Sequence, residues 1–345
     1  MTISPAPDQW HGQSPTPISP ADAYNGYIAA NVIFALDRLG LLDRIERGDV
    51  LYREDLGRQP AADTDRAEAV LRAAVGCGYL KAEEGVFLPT ETGREAARTR
   101  GYFTWAVGGY SEVFAHAGSL SAGTARYDED VHRDEAMVAL GSGQADRSMF
   151  AGLLHQVLAD VDFEAVADLG SGTSARVQRV VSQRPGTRGF GIDISEPATR
   201  LARQDIVRAG LEGRVEAIRG DVLDILAGGR DLGAVADVDT VMSFLLLHDL
   251  LADPKTRPDV LPRMREAFPR SRTFIFADTM LRPDTGAEDK LPIFSAGFEL
   301  AHAMMGVPLH TKDTYEDLFR SAGLRIARTE AMATPHSWLY VLAAD

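Results

Sequence analysis

Apolar residues recur at helical spacing from Ala21 to Leu39 and stop at Gly40, a residue suited to closing a helix in the left-handed conformation. A short apolar segment, Leu41 to Ile45, follows, then Asp55-Leu56 and a second helical pattern from Asp65 to Val75. Over Tyr79 to Leu88 the period changes, and Glu84-Gly85 at its middle predicts a β-hairpin. Short helices followed by a small hairpin form a winged-helix pattern, assigned to residues 19–102, and residues 103–160 read as a helical linker and substrate-site region. Residues 1–18, with Pro5, Pro7, Pro15 and Pro17 among polar residues, lack the apolar surface that offsets ordering entropy, so a disordered tail is expected there.

From Phe163 the pattern becomes one of apolar strands alternating with helices, which we assign to a domain at residues 161–345. Strands are expected at Phe163 to Asp168, Gly189 to Asp193, Val215 to Ile218, Thr240 to Leu247 and Thr273 to Ala277, with helices such as Ser174 to Arg184 and Pro197 to Ala209 between them. That alternation predicts an α/β fold, a mostly parallel sheet with right-handed crossovers and helices on both faces. Leu324 to Met332 and Ser337 to Ala343 are apolar strand candidates without an intervening helix, so they predict a closing antiparallel hairpin.

Composition narrows the function. The 345 residues are 45% hydrophobic, enough for two packed units. Fifty acidic against 36 basic residues give a net charge of −14, which argues against the cationic surface that nucleic acid requires and against a DNA-binding regulator. The single cysteine, Cys77, excludes an internal disulfide framework and a cysteine-cluster zinc site and suits a reducing cytosol. The N-terminus has no basic patch followed by an apolar segment, and no apolar stretch is long enough to span a bilayer, so a soluble cytoplasmic enzyme is expected.

In an open parallel sheet, ligands bind beyond the carboxyl ends of the strands, so the residues just after strands carry the candidate chemistry. Asp168-Leu169-Gly170-Ser171-Gly172 follows the first strand, where missing side chains let backbone approach a ligand. Ala175 stands where a dinucleotide turn has its third glycine, so these glycines alone do not choose between cofactors. Asp193, 25 residues after Asp168, ends the second strand in a place suited to a ribose diol, and Gly220-Asp221-Val222 offers a carboxylate to an adenine amino group. Any one of these acids could merely cap the next helix, but all three in order is a more specific pattern.

Glycine turn, second-strand acid and third-strand Gly-Asp together resemble the class I S-adenosylmethionine methyltransferases. Nearly the whole chain, including Asp313-Thr314-Tyr315-Glu316-Asp317-Leu318-Phe319-Arg320-Ser321-Ala322-Gly323-Leu324, resembles the two-domain small-molecule methyltransferases that dimerise through a winged-helix-like domain. The resemblance implies cofactor contacts at Asp168, Gly170, Gly172, Asp193, Asp221, Val222 and Ser243. It also implies a homodimer, and a catalytic His248-Asp249 just after the fourth strand.

A further feature is His302, within Gly297 to Gly306. Composition alone favours a core-facing helix on which Phe298, Ala301, Met305 and one satisfied histidine share a face. The wider segment, Leu291-Pro292-Ile293-Phe294 through Val307, resembles the bacterial α-keto acid C-methyltransferases that act on phenylpyruvate-like substrates. In that subgroup two histidines hold a non-haem iron, which implies His248 and His302 as metal ligands here, with Asp249 orienting His248 or helping to move the proton. It also implies Arg133 for the carboxylate of a 2-oxo acid, with Phe298 and Met305 on the substrate. Local sequence reads Arg133 equally well as a surface residue paired with Asp134. The runner-up activity is metal-free O-methylation, with His248 as general base and His302 inert. His116, His132, His155, His310 and His336 are assigned structural roles.

Overall fold

A computed structural model describes residues 18–53, 63–229, 232–282 and 294–344. The proline-rich N-terminal segment up to residue 17, Asp55-Leu56 and Leu291 to Ile293 lie outside the described residues. Contacts divide the chain into two compact units, one containing Thr16–Ser111 and Arg133–Ser148, the other Glu112–His132 and Met149–Asp345.

In the first unit, helix Pro20–Arg38 starts on Ser19, whose side chain accepts from Asp22 N, and has proline at its first position. Helices Leu42–Arg47, Thr64–Gly76 and Glu91–Arg98 pack with it around Ile33, Leu36, Leu42, Ile45 and Leu71. Strands β1 (Leu51–Tyr52), β2 (Leu80–Glu83) and β3 (Val86–Pro89) form an antiparallel sheet in the order β1-β3-β2. The hairpin turns where expected, with Glu84 and Gly85 both at positive φ, 46° and 85°.

Within residues 103–160 the chain passes between the two units at three places. Helix Glu135–Met149 belongs mainly to the first unit, where glycines admit backbone-to-backbone packing. A Cβ on Gly101 would lie 2.3 Å from Ala145 N, and one on Gly141 2.6 Å from Trp105 N.

The second unit is built on seven strands: β4 (Ala165–Leu169), β5 (Arg188–Asp193), β6 (Val215–Arg219), β7 (Thr240–Phe244), β8 (Thr273–Thr279), β9 (Leu324–Ala331) and β10 (Ser337–Ala344). Their order is β6-β5-β4-β7-β8-β10-β9, parallel through β8, with the β9–β10 hairpin antiparallel at one edge. Strand order reverses at β4, which has β5 on one side and β7 on the other, so Leu169 at the end of β4 stands in register with Ile192 and Ser243, each one residue before the end of its strand. This is the crevice that such sheets offer a ligand.

Strand β7 ends at Phe244, short of the Leu247 expected from its continuous apolar run. Leu245 takes φ 53°, its amide donating to Ala277 O at 2.8 Å, and the chain enters helix Leu247–Leu250. A buried helical turn and a buried strand are equally apolar, so hydropathy could not separate them.

Candidate active site

At the end of β4 the amides of Gly170 and Ser171 donate to Ile192 O at 2.9 and 3.0 Å, while Gly170 and Gly172 adopt φ of 69° and 55°. Gly191 on β5 makes room for this turn, since a Cβ there would meet Ser174 Oγ at 2.2 Å and Ser171 Oγ at 2.7 Å. Asp193 accepts from Gly172 N at 2.7 Å and from Ser195 N at 2.8 Å. Gly170, Gly172 and Asp193 are therefore gathered at one place.

The other candidate cofactor residues sit differently. Asp168 is buried, and both its oxygens accept from Arg176 Nη1 at 3.1 Å; the guanidinium lies 3.9 Å from the Phe244 ring centroid. That pairing holds the start of the next helix against the sheet. Asp221 caps helix Val222–Leu226 by accepting from Leu223 N at 2.8 Å, and Val222 is buried beside it. Ser243 is fully buried at the carboxyl end of β7, and its hydroxyl finds no hydrogen-bond partner among the described residues.

The second cluster begins at His248, placed by the turn after β7. Its Nδ1 lies 2.8 Å from Asp278 Oδ1, and its backbone amide donates to Asp278 Oδ2 at 2.8 Å. Thr279 N and Tyr315 Oη also donate to this carboxylate, at 2.9 and 3.0 Å. His302 lies on helix Ser295–Met305, its Nδ1 2.7 Å from Phe298 O. A carbonyl can only accept, so Nδ1 of His302 is the protonated nitrogen, and the multiply bonded Asp278 assigns the same tautomer to His248. Each ring then turns its basic Nε2 away from these anchors.

The two imidazoles are both buried and meet edge to face, centroids 4.6 Å apart at 89°. Phe298 stacks on His302 at 4.0 Å and touches His248 edgewise at 5.0 Å. Asp249 Oδ2 is 3.6 Å from His248 Nε2, and one ligand atom each from His248, Asp249 and His302 lies within 4.8 Å of the others. Two anchored imidazoles and a neighbouring carboxylate match the donor set of mononuclear iron sites. Asp249 is the member of the trio open to solvent.

Met305 is half-buried at the end of the His302 helix. Arg133 belongs to the first unit, where Nη1 donates to Tyr110 Oη at 3.2 Å, while Asp134 caps the following helix through Met137 N at 3.0 Å. His310 is half-buried with Nε2 3.2 Å from Leu251 O, and burial holds its imidazole below the usual value. Sequence reasoning missed Asp278 and passed over Tyr315. Asp278 was findable, because it stands at the end of β8 as Asp193 stands at the end of β5. Tyr315 had no local signal beyond its place in the C-terminal motif.

A mostly parallel sheet with its order reversed at a glycine turn, and a carboxylate at the next strand end, has the form of a nucleoside-cofactor-binding domain. Residues 109–325 match the family model described as O-methyltransferase domain, and the chain belongs to that family. It is 26% identical over 317 residues to methyltransferase ungE' of Aspergillus campestris, spanning 89% of this chain and 91% of that protein. It is 27% identical over 324 residues to the indolepyruvate C-methyltransferase of Streptomyces griseus, spanning 93% of this chain and 94% of that protein. Among solved structures, "PigF with SAH" superposes with a TM-score of 0.68 at 20% identity, over 94% of this chain and 99% of that one. The protein is thus an S-adenosylmethionine-dependent methyltransferase. Among the described residues no helix is long and apolar enough to cross a membrane.

Proposed function

We propose that this enzyme transfers a methyl group to the β-carbon of a phenylpyruvate-like 2-oxo acid, for the biosynthesis of a modified amino acid, with iron held by His248 and His302 beside Asp249. The observation that carries the reading is the second buried imidazole. O-methylation needs one basic nitrogen, whereas His302 presents another against His248 and beside a carboxylate. The likeness to an indolepyruvate C-methyltransferase over most of the chain supports the same choice.

Bound there, iron would act as a Lewis acid that raises the acidity of the carbon next to the keto group. The chain's own groups do the rest. Asp278 and the Phe298 carbonyl hold the two imidazoles in one tautomer and orientation. The resemblance assigns the substrate carboxylate to Arg133 and the substrate side chain to Phe298 and Met305. Asp249, the carboxylate open to solvent, takes the proton from the β-carbon and passes it outward. The enolate carbon then takes the methyl group as the carbon–sulfur bond breaks, leaving S-adenosylhomocysteine. Gly170, Gly172 and Asp193 carry the cofactor, with Asp168 bracing the turn and Asp221, Val222 and Ser243 along the adenosine. The unpartnered Ser243 hydroxyl is the side chain there that a ligand would satisfy.

The test is a panel of aromatic, indolic, aliphatic and guanidino 2-oxo acids incubated with S-adenosylmethionine and ferrous iron, with product mass as the readout. Methylation of a 2-oxo acid that chelator abolishes is expected. Chelator-insensitive methylation of a hydroxyl substrate, with no 2-oxo acid turned over, would sink the reading. The metal-free alternative has its own observation, because His248 with Asp278 is already a complete general-base pair. We further propose a cytoplasmic homodimer through the first unit, supported by Tyr24 and Tyr27, each more than two-thirds exposed on helix Pro20–Arg38.

A further inference from the structure

We propose that the Tyr315 hydroxyl is a positioning group for His248, acting through Asp278. The proposal rests on the reading of His248 as a nitrogen donor of the active site, whether to a metal or to a proton.

Asp278 is buried at the end of β8, and its carboxylate takes four donors, two on each oxygen. Oδ1 accepts from His248 Nδ1 and Thr279 N, and Oδ2 from His248 N and Tyr315 Oη. A carboxylate offers about four lone-pair positions, so the acceptor is saturated. Two of the donors are main chain and a third is the imidazole being held. Tyr315 is, among the described residues, the remaining side-chain donor. Without its hydroxyl, Oδ2 keeps one donor and the carboxylate can rotate about its Cβ–Cγ bond, carrying the imidazole hydrogen bond with it.

The hydroxyl is well suited to this task. Tyr315 lies on helix Lys312–Ser321, fully buried, with its ring against Phe319 at 6.2 Å between centroids. Burial, and then the charge of Asp278, keep the phenol protonated far above its ordinary range, so it is always a donor. A helix 37 residues past Asp278 thereby sets the aim of a side chain 30 residues before it. The C-terminal segment is thus tied into the chemistry without touching substrate.

The experiment compares wild type, Tyr315→Phe and Tyr340→Phe, each with nitrogen-15-labelled histidine and free of metal, His248→Gln assigning the His248 signals. Tyr340→Phe removes the hydroxyl of another buried tyrosine, one that donates to Glu316 at 3.0 Å and not to Asp278. Wild type and Tyr340→Phe are expected to show one protonated and one unprotonated His248 nitrogen, widely separated in shift. Tyr315→Phe is expected to bring the two together as the tautomers mix. Ferrous iron should bind Tyr315→Phe about tenfold more weakly, the usual effect of losing an outer partner of a ligand, with unchanged affinity for S-adenosylhomocysteine reporting an intact fold. An unaltered His248 nitrogen pattern in Tyr315→Phe, or an equal change in Tyr340→Phe, overturns the proposal. Should wild type take up no metal, the iron reading fails, while the nitrogen signals still decide the role of Tyr315.

Discussion

Replacing His302 with alanine separates carbon methylation at a metal from oxygen methylation at a lone base. The ring is 2% exposed, stacked on Phe298 at 4.0 Å and facing His248 at 4.6 Å, so its removal leaves a cavity. The partner of Nδ1, the Phe298 carbonyl, stays inside its own helix ladder, so little unpaired-acceptor cost is added. Truncating a buried side chain of that size costs about 2–4 kcal/mol. At about 2–4 °C per kcal/mol for a unit of this size, the melting temperature falls by roughly 4–16 °C. On the proposed function His302→Ala also loses iron and all turnover of a 2-oxo acid, while calorimetric affinity for S-adenosylhomocysteine stays near wild type. His302→Gln refills much of the cavity without restoring an imidazole, so it should recover stability and not activity. If His302→Ala keeps most of its turnover in the presence of chelator, the iron reading is refuted.

Asp193→Ala should abolish S-adenosylhomocysteine binding in a calorimetric titration, since its carboxylate also ties down Gly172 N and Ser195 N; unchanged affinity would place the cofactor elsewhere. Gly170→Val should lose cofactor binding too and lower the melting temperature, because a Cβ at φ 69° would lie 2.8 Å from Leu246 Cδ2. Sedimentation should report twice 37.4 kDa, and a double charge substitution at Tyr24 and Tyr27 should halve that mass; a wild-type monomer at micromolar concentration contradicts the dimer. Burial holds His310 below its ordinary 6.5, so the unfolded chain binds its proton first. Its contribution to stability is therefore complete above that value and lost as the pH falls through the window beneath it. His310→Gln should flatten this part of the acid limb in melting experiments, and an unchanged limb would assign it to other groups.

Local pattern determined much of this protein. The periods of apolar residues located the helices, the parallel strands and both hairpins, because side-chain spacing reports directly which face each element buries. The meeting of Gly170, Gly172 and Asp193 was legible for a related reason: parallel strands bring their carboxyl ends to one edge, so residues far apart in sequence come together when each follows a strand. His248 and His302 were named from motif resemblance, not from any spacing that shows them to be neighbours. What only the tertiary structure decided is their meeting, the anchoring of each Nδ1, and the arrival of Asp278 and Tyr315 behind them. It also decided where β7 stops, since a left-handed Leu245 inside a uniformly apolar run leaves no trace in hydropathy. The pairing of Asp168 with Arg176 was hidden likewise, because an acid at a strand end looks the same whether it faces a ligand or its own following helix. Hydrophobic period encodes burial of single elements, but the aim of a polar side chain is set by its partners, and those are assembled only when distant segments pack.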